Sequence, residues 1–389
     1  MCLHHKLFLI CLLFFILTGC WDSHDIEELY MEIGAALDKP KTSTLRRNKE
    51  QNQIKLTLQN ISPTQLPSES DQGNKKKKYQ NLTGVGDSVL EIFREFSLKN
   101  DSPPYGQHLK VLVIGEELLK EKNLQILLSL FNRSLEVRDS CILLVAKGEA
   151  AKTLKISTDI PAFTLIGIGE NESHSANLLP ITTNGKATRS MANDENMAIQ
   201  SVSTKNGKIK FNSAALIKGG VNRLVGYLDE DEVKGLNMLT GDIKGGILKG
   251  KDPKTKGLIA YNISSVKSSI TPYIEGNHLS FDISIKSVGR LNEDGVHAGN
   301  AFSNKFIHRT ELAIKEETER LLNQTLTRLQ KQQKLDVAGF GEQVRIHYPK
   351  QWNHLKRNWD KYFSEASIKL NVSITVEDYM VKGKKEISQ

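Results

Sequence analysis

The chain has 389 residues, is 39% hydrophobic and 25% charged, and carries a net charge of +8. That balance excludes a polytopic membrane protein and a disordered chain, and the length suits two or three domains. Of the four cysteines, Cys2, Cys11 and Cys20 crowd the amino end and only Cys141 lies in the body. No Cys-x-x-Cys spacing exists for zinc or redox work.

Leu7 to Leu17 are eleven consecutive apolar residues. As a helix they reach only about 16 Å, half a hydrocarbon core, which is the length of a signal-peptide apolar region rather than of a span. Leu17-Thr18-Gly19-Cys20 follows at once and resembles the lipobox of bacterial lipoproteins, in which small residues enter a peptidase cleft and the thiol accepts a diacylglyceryl group. The expectation is a signal segment over 1–19, with Cys20 bearing S-diacylglyceryl and N-acyl groups on a membrane's outer surface. Cys141, in the apolar run Cys-Ile-Leu-Leu-Val, reads as a buried, inert thiol.

Ile26 to Asp38 and Gln53 to Ile61 alternate as two strands of a half-solvated antiparallel sheet, the second with Ile54, Leu56 and Leu58 on one face and Lys55, Thr57 and Gln59 on the other. The polar loop after them holds Lys75-Lys76-Lys77-Lys78, a solvated tip or a contact for anionic lipid. The spacing of Val89, Ile92, Phe93 and Phe96 predicts a helix over Asp87 to Lys99. A strand (His108 to Ile114), a helix (Glu116 to Phe131), a strand (Cys141 to Ala146) and a short helix (Gly148 to Lys155) follow, an α/β alternation. Thr182 to Asn196, polar and glycine-containing, reads as a linker.

Phe211 to Ile217 and Asn222 to Tyr227 form a predicted hairpin around Lys218-Gly219-Gly220, and Asp229 with Glu232 fits a capping box that opens a helix through Leu239. Leu258 to Ile274 and His278 to Val288 make a longer hairpin, and Phe306 to Gln333 is the strongest helical pattern, with Ile307, Ile314 and Leu321 seven apart. Amphipathic Lys350 to Phe363 and a strand, Ile368 to Val376, close the pattern. The expected fold class is α+β (mixed α/β), an elongated three-domain lipoprotein with antiparallel and mixed sheets and packed helices. Its domains are an N-terminal α/β unit (20–199), a small middle α+β unit (200–257) and a C-terminal α+β unit with the long helix (258–389).

No catalytic constellation emerges, and no cofactor or metal site. Gly245 to Asp252 has phosphate-loop spacing, but Asp252 stands where a magnesium-binding hydroxyl belongs and would repel phosphate. The histidines are scattered and form no His-Glu-x-x-His pair. Basic residues do not interleave with aromatics as in a nucleic-acid module.

Several fragments, in order, resemble the Ger(x)C family, the C-subunit lipoproteins of nutrient germinant receptors in endospore-forming bacteria. They are Gly19-Cys20-Trp21-Asp22 with Asp25-Ile26, then Ile114-Gly115-Glu116-Glu117-Leu118, then Asn132-Arg133, then Val145-Ala146-Lys147-Gly148. Ala214 to Lys218 and Leu224 to Leu228 follow, and last Asp336 with Gly339-Phe340-Gly341-Glu342, Tyr348-Pro349, Trp352 and Trp359. Asp25 and Asn132 depart from the Glu and Asp more usual there. The resemblance implies a non-catalytic subunit on the outer face of the spore inner membrane. Its partners are membrane-embedded A and B subunits, with which it responds to a nutrient ligand bound by the complex, and Cys20 is the only site residue carried over. The alternative left open is a solute-binding lipoprotein of a transporter.

Overall fold

The computed structural model describes residues 30–41, 53–61, 78–99, 104–135, 137–276, 278–294 and 304–379. The expected signal segment, Cys20 and residues 75–77 lie outside the described residues.

The first sheet begins with β1 (Tyr30–Asp38), β2 (Ile54–Ile61), β3 (Gln80–Gly86), β4 (Pro104–Tyr105), β5 (Val111–Gly115) and β6 (Ile142–Lys147). It ends with β7 (Met197–Lys205), β8 (Lys208–Lys218) and β9 (Arg223–Leu228). Its order is β3-β2-β1-β5-β6-β7-β8-β9, with β4 beside β1. The central strands β1, β5, β6 and β7 are parallel, and the flanking pairs are antiparallel. Parallel strands need crossovers and so lie under helices, which is why β5 reads as the unbroken apolar run VLVIG and is buried throughout.

On one face lie α1 (Val89–Ser97), α2 (Glu116–Glu121), α3 (Leu124–Leu135) and, further along, Ala187 and Met191. The other face is covered by a 3-10 turn (Ala150–Lys155) and α4 (Pro161–Gly169). This second cover corrects the half-solvated reading of β2. Thr57 and Gln59 are both fully buried. Gln59 accepts from the Ala162 N–H at 2.8 Å and donates to the Leu154 carbonyl at 2.9 Å, and Thr57 meets the Thr83 hydroxyl at 3.0 Å. The polar stripe is buried because every one of these groups finds a partner.

Two further expectations change. The helix expected over Glu116 to Phe131 is two helices, because the Asn123 side chain accepts from the Gln125 N–H at 2.7 Å and caps α3 afresh. The linker expected over Thr182 to Asn196 contains α5 (Asn184–Ala192), capped by the Thr183 hydroxyl. With little beyond Ala187 and Met191 turned to the core, the helix left almost no apolar periodicity to read.

The second sheet joins β10 (Ile247–Lys251), β11 (Leu258–Glu275), β12 (His278–Asp294) and β13 (Ser367–Tyr379) in that order. Only the β12–β13 pairing is parallel. α6 (Glu230–Thr240), α7 (Asn304–Leu326), α8 (Phe340–His347), α9 (Pro349–Leu355) and α10 (Trp359–Glu365) supply its covering layer. The capping box is present: the Asp229 carboxylate accepts from the Glu232 N–H at 2.9 Å and Glu232 returns the bond at 2.8 Å, worth about 1 kcal/mol to α6. Beyond α7 the backbone widens into a π-helical stretch, Thr327–Gln333, which ends at Lys334 in the left-handed region (φ 51°).

The described chain is thus organised by two sheets within a mixed α+β fold. The boundary expected at 199/200 falls inside β7, and the one at 257/258 separates β10 from the strand it pairs with. β8 pairs back onto β7 over nine residue pairs.

Candidate functional site

The residues that stood out in the sequence converge on the turn after the π-helical stretch. Leu335 hydrogen bonds back to the Leu329 carbonyl at 2.9 Å, and the chain then loops around the Asp336 carboxylate. Its Oδ1 accepts from the N–H groups of Ala338 (3.2 Å), Gly339 (3.0 Å) and Phe340 (3.1 Å). Its Oδ2 accepts from the Gly341 N–H (2.7 Å) and the Trp359 indole (3.0 Å). Withdrawal from water pushes the Asp336 carboxyl above the ordinary carboxylate value, against the pull of the Gly341, Phe340, Trp359 and Ala338 donors.

Both glycines are required by geometry. Gly339 has φ 84°, a conformation that strains any residue with a Cβ. A Cβ on Gly341 would lie 2.9 Å from Trp352 Cη2 and 3.0 Å from the Trp359 ring. The two indoles meet edge to face, 5.1 Å apart. Phe340 points the other way into the core, against Phe281 (4.9 Å) and Phe363 (5.1 Å). The two tryptophans belong to separate helices, α9 and α10, and the Asp336 loop ties those helices to the second sheet. This is a structural joint, with both carboxylate oxygens hydrogen bonded and the two indoles in contact.

A second buried carboxylate closes the carboxyl ends of the parallel strands. Asp38, at the end of β1, accepts from the Ala150 and Ala151 N–H groups at 2.6 and 2.9 Å. Burial raises its pKa, against the opposing pull of those N–H groups. Beside it Lys55 pairs with Glu149. Across the same edge the Tyr227 hydroxyl donates to Glu116 at 3.0 Å while the Lys147 ammonium sits 4.6 Å from the Tyr227 ring centroid. Burial, with Glu116 adding to it, raises the Tyr227 phenol well above its usual value. Each group is held by a partner inside the fold.

The phosphate-loop look-alike is strand β10 and the turn after it. Asp252 is fully buried and accepts from the Lys254 N–H, the Thr255 hydroxyl and Arg309 Nε at 3.1, 3.0 and 3.0 Å. Burial alone would raise its pKa, but Arg309 and the other donors hold it below the ordinary value. Cys141 is 1% exposed and its thiol is pushed up to about 12 by burial. Among the described residues no group of three or more His, Cys, Asp or Glu is placed to hold a metal ion, and no helix is long and apolar enough to cross a membrane. On the outward face of the second sheet Lys267 stands directly opposite Lys286, and Lys369 opposite Asp282.

Fold and site together define a two-sheet mixed α+β protein whose distinctive residues hold its architecture together. The comparisons agree in extent and order. Residues 22–204 match the model of the spore germination protein N-terminal domain, and residues 212–380 match that of the spore germination B3/GerAC-like C-terminal region. Over 95% of both chains it is 36% identical to spore germination protein YndF of Bacillus subtilis (strain 168). It is 34% identical to spore germination protein B3 of the same organism, over 95% of this chain and 96% of that one. The crystal structure of the GerBC protein superposes with a TM-score of 0.62 at 30% identity, covering 91% of this chain and all of that one. The chain belongs to the spore germination B3/GerAC-like family.

Proposed function

We propose that this protein is the lipid-anchored C subunit of a nutrient germinant receptor, required for spore germination and without catalytic activity. It is held by diacylglyceryl and N-acyl groups on Cys20 at the outer face of the spore inner membrane. There it assembles with membrane-embedded A and B subunits, and the nutrient acts through the complex. The observation that carries the reading is full-length similarity to spore germination proteins, at 36% identity across 95% of the chain. The lipobox Leu17-Thr18-Gly19-Cys20 supports the anchor, because two acyl chains suffice for stable membrane attachment. The engagement of Asp336, Asp38 and Asp252 in structural bonds supports a binding and assembly role over turnover.

The test is Cys20→Ala in the full chain within the spore, followed by membrane fractionation and germination assays. Loss of membrane retention and of the germination response through this receptor is the expected result. Unchanged retention and germination would refute the anchor. Tagged protein purified from spore membranes should bring integral membrane subunits with it.

A further inference from the structure

α4 is unlike the other surface helices. From Pro161 to Gly169 its only polar side chain is Thr164. Ala162 and Leu165 face the sheet and are buried, as an amphipathic helix requires. The opposite side should then be charged or polar, but it presents Phe163, 47% exposed, and Gly167, with Thr164 as its one polar group, while Ile166 and Ile168 flank it, partly buried against the core. A Cβ at Gly167 would meet nothing within 4 Å. The polar groups sit around this face: Lys152 and Lys155 precede the helix, Asp159 pairs with Lys78 at 2.8 Å, and Glu170 follows.

The position of α4 says what covers it. A Cβ built on Gly34 would lie 2.8 Å from the Ala162 methyl, so α4 rests directly on β1. Gly34 is four residues after Tyr30, where β1 begins. Nine residues separate Tyr30 from Cys20, and however they run the ten steps span at most about 36 Å. Four strand residues add only about 13 Å. The apolar helix therefore sits over the first strand after the short tether, within its reach of the lipid surface.

Resting on the Cys20 anchor proposed above, we infer that α4 is a membrane-contact element. Phe163 and Gly167 seat in the headgroup–acyl boundary of the bilayer that carries the anchor, and so fix which side of the protein faces that bilayer. An aromatic ring flanked by aliphatic and small residues suits that depth, with lysines and carboxylates left at the headgroup level.

The test uses the full-length, lipid-modified protein in phosphatidylethanolamine–phosphatidylglycerol vesicles. An environment-sensitive fluorophore is attached at Phe163→Cys, with Gly167→Cys as a second site should the first variant misfold. Cys141 is buried and stays unlabelled. A blue-shifted probe at 163 or 167, quenched by brominated acyl chains, is expected, while the same probe at Ser269→Cys, exposed on the second sheet, stays unquenched. A water-like probe at both α4 positions on protein retained by the vesicles would overturn the contact and leave the anchor standing. If the probe becomes shielded only when the A and B subunits are present, the occupant is protein and the lipid assignment fails. Retention of Cys20→Ala equal to that of the intact protein would overturn the anchor instead.

Discussion

The indole N–H of Trp359 donates to the carboxylate of Asp336 across 3.0 Å, joining positions 23 residues apart. That bond closes a ring of five donors around one carboxylate, four of them backbone N–H groups of the loop that launches α8. Removing the acceptor strands several donors at once, and each stranded buried donor costs about 1–3 kcal/mol. Asp336→Ala should therefore lose about 3–5 kcal/mol of stability in urea unfolding, allowing for some rehydration. Asp336→Asn keeps one acceptor oxygen and should lose roughly half as much.

Asp252 gives a pH signature of known sign. Arg309 and the turn donors hold its folded-state pKa below 3.8. A depressed carboxylate stabilises the fold at pH above its unfolded value and loses that contribution as pH falls through the folded value. Stability curves of the intact protein and Asp252→Asn should thus lie well apart at pH 6 and converge below about pH 4. A constant gap down to pH 2 would contradict the assignment.

Lys286 and Lys267 occupy directly opposed positions on β12 and β11, on an exposed face. Like charges in that register repel. Lys286→Glu should raise stability by about 0.5 kcal/mol at low ionic strength, and the gain should shrink in molar salt. Equal stability of the two proteins at low salt would show that solvent already screens the pair.

Cys141 has a thiol pushed up to about 12, so at pH 8 its thiolate population lies on the order of a thousandfold below that of a free cysteine. Iodoacetamide should leave it unmodified in the folded protein and alkylate it promptly in denaturant. Mass spectrometry of the tryptic peptide reads the difference.

How much of this was legible in the sequence depends on how each residue is held. The β11–β12 hairpin announced itself by two long alternations around Glu275-Gly276, and the α6 start by Asp229 and Glu232, because local bonds fix both. The buried polar face of β2 did not, since Gln59 reads the same in water as against Leu154 and Ala162, 95 and 103 residues away. α5 was hidden for the opposite reason: it offers the core too few apolar side chains to show a period. At Asp336 the motif was visible as a string of residues, but its role was not. Only the fold shows that one carboxylate binds four consecutive N–H groups and an indole from another helix. Cys20 remains an inference from the lipobox, outside the described residues.

β1 is an interior strand, with seven residue pairs to β2 on one side and four to β5 on the other. Any pull on the amino end runs along that strand, across ladders whose hydrogen bonds lie nearly perpendicular to the load. Such an arrangement must be sheared as a set rather than unzipped bond by bond. A chain pulled there would bear the load through a strand paired on both sides.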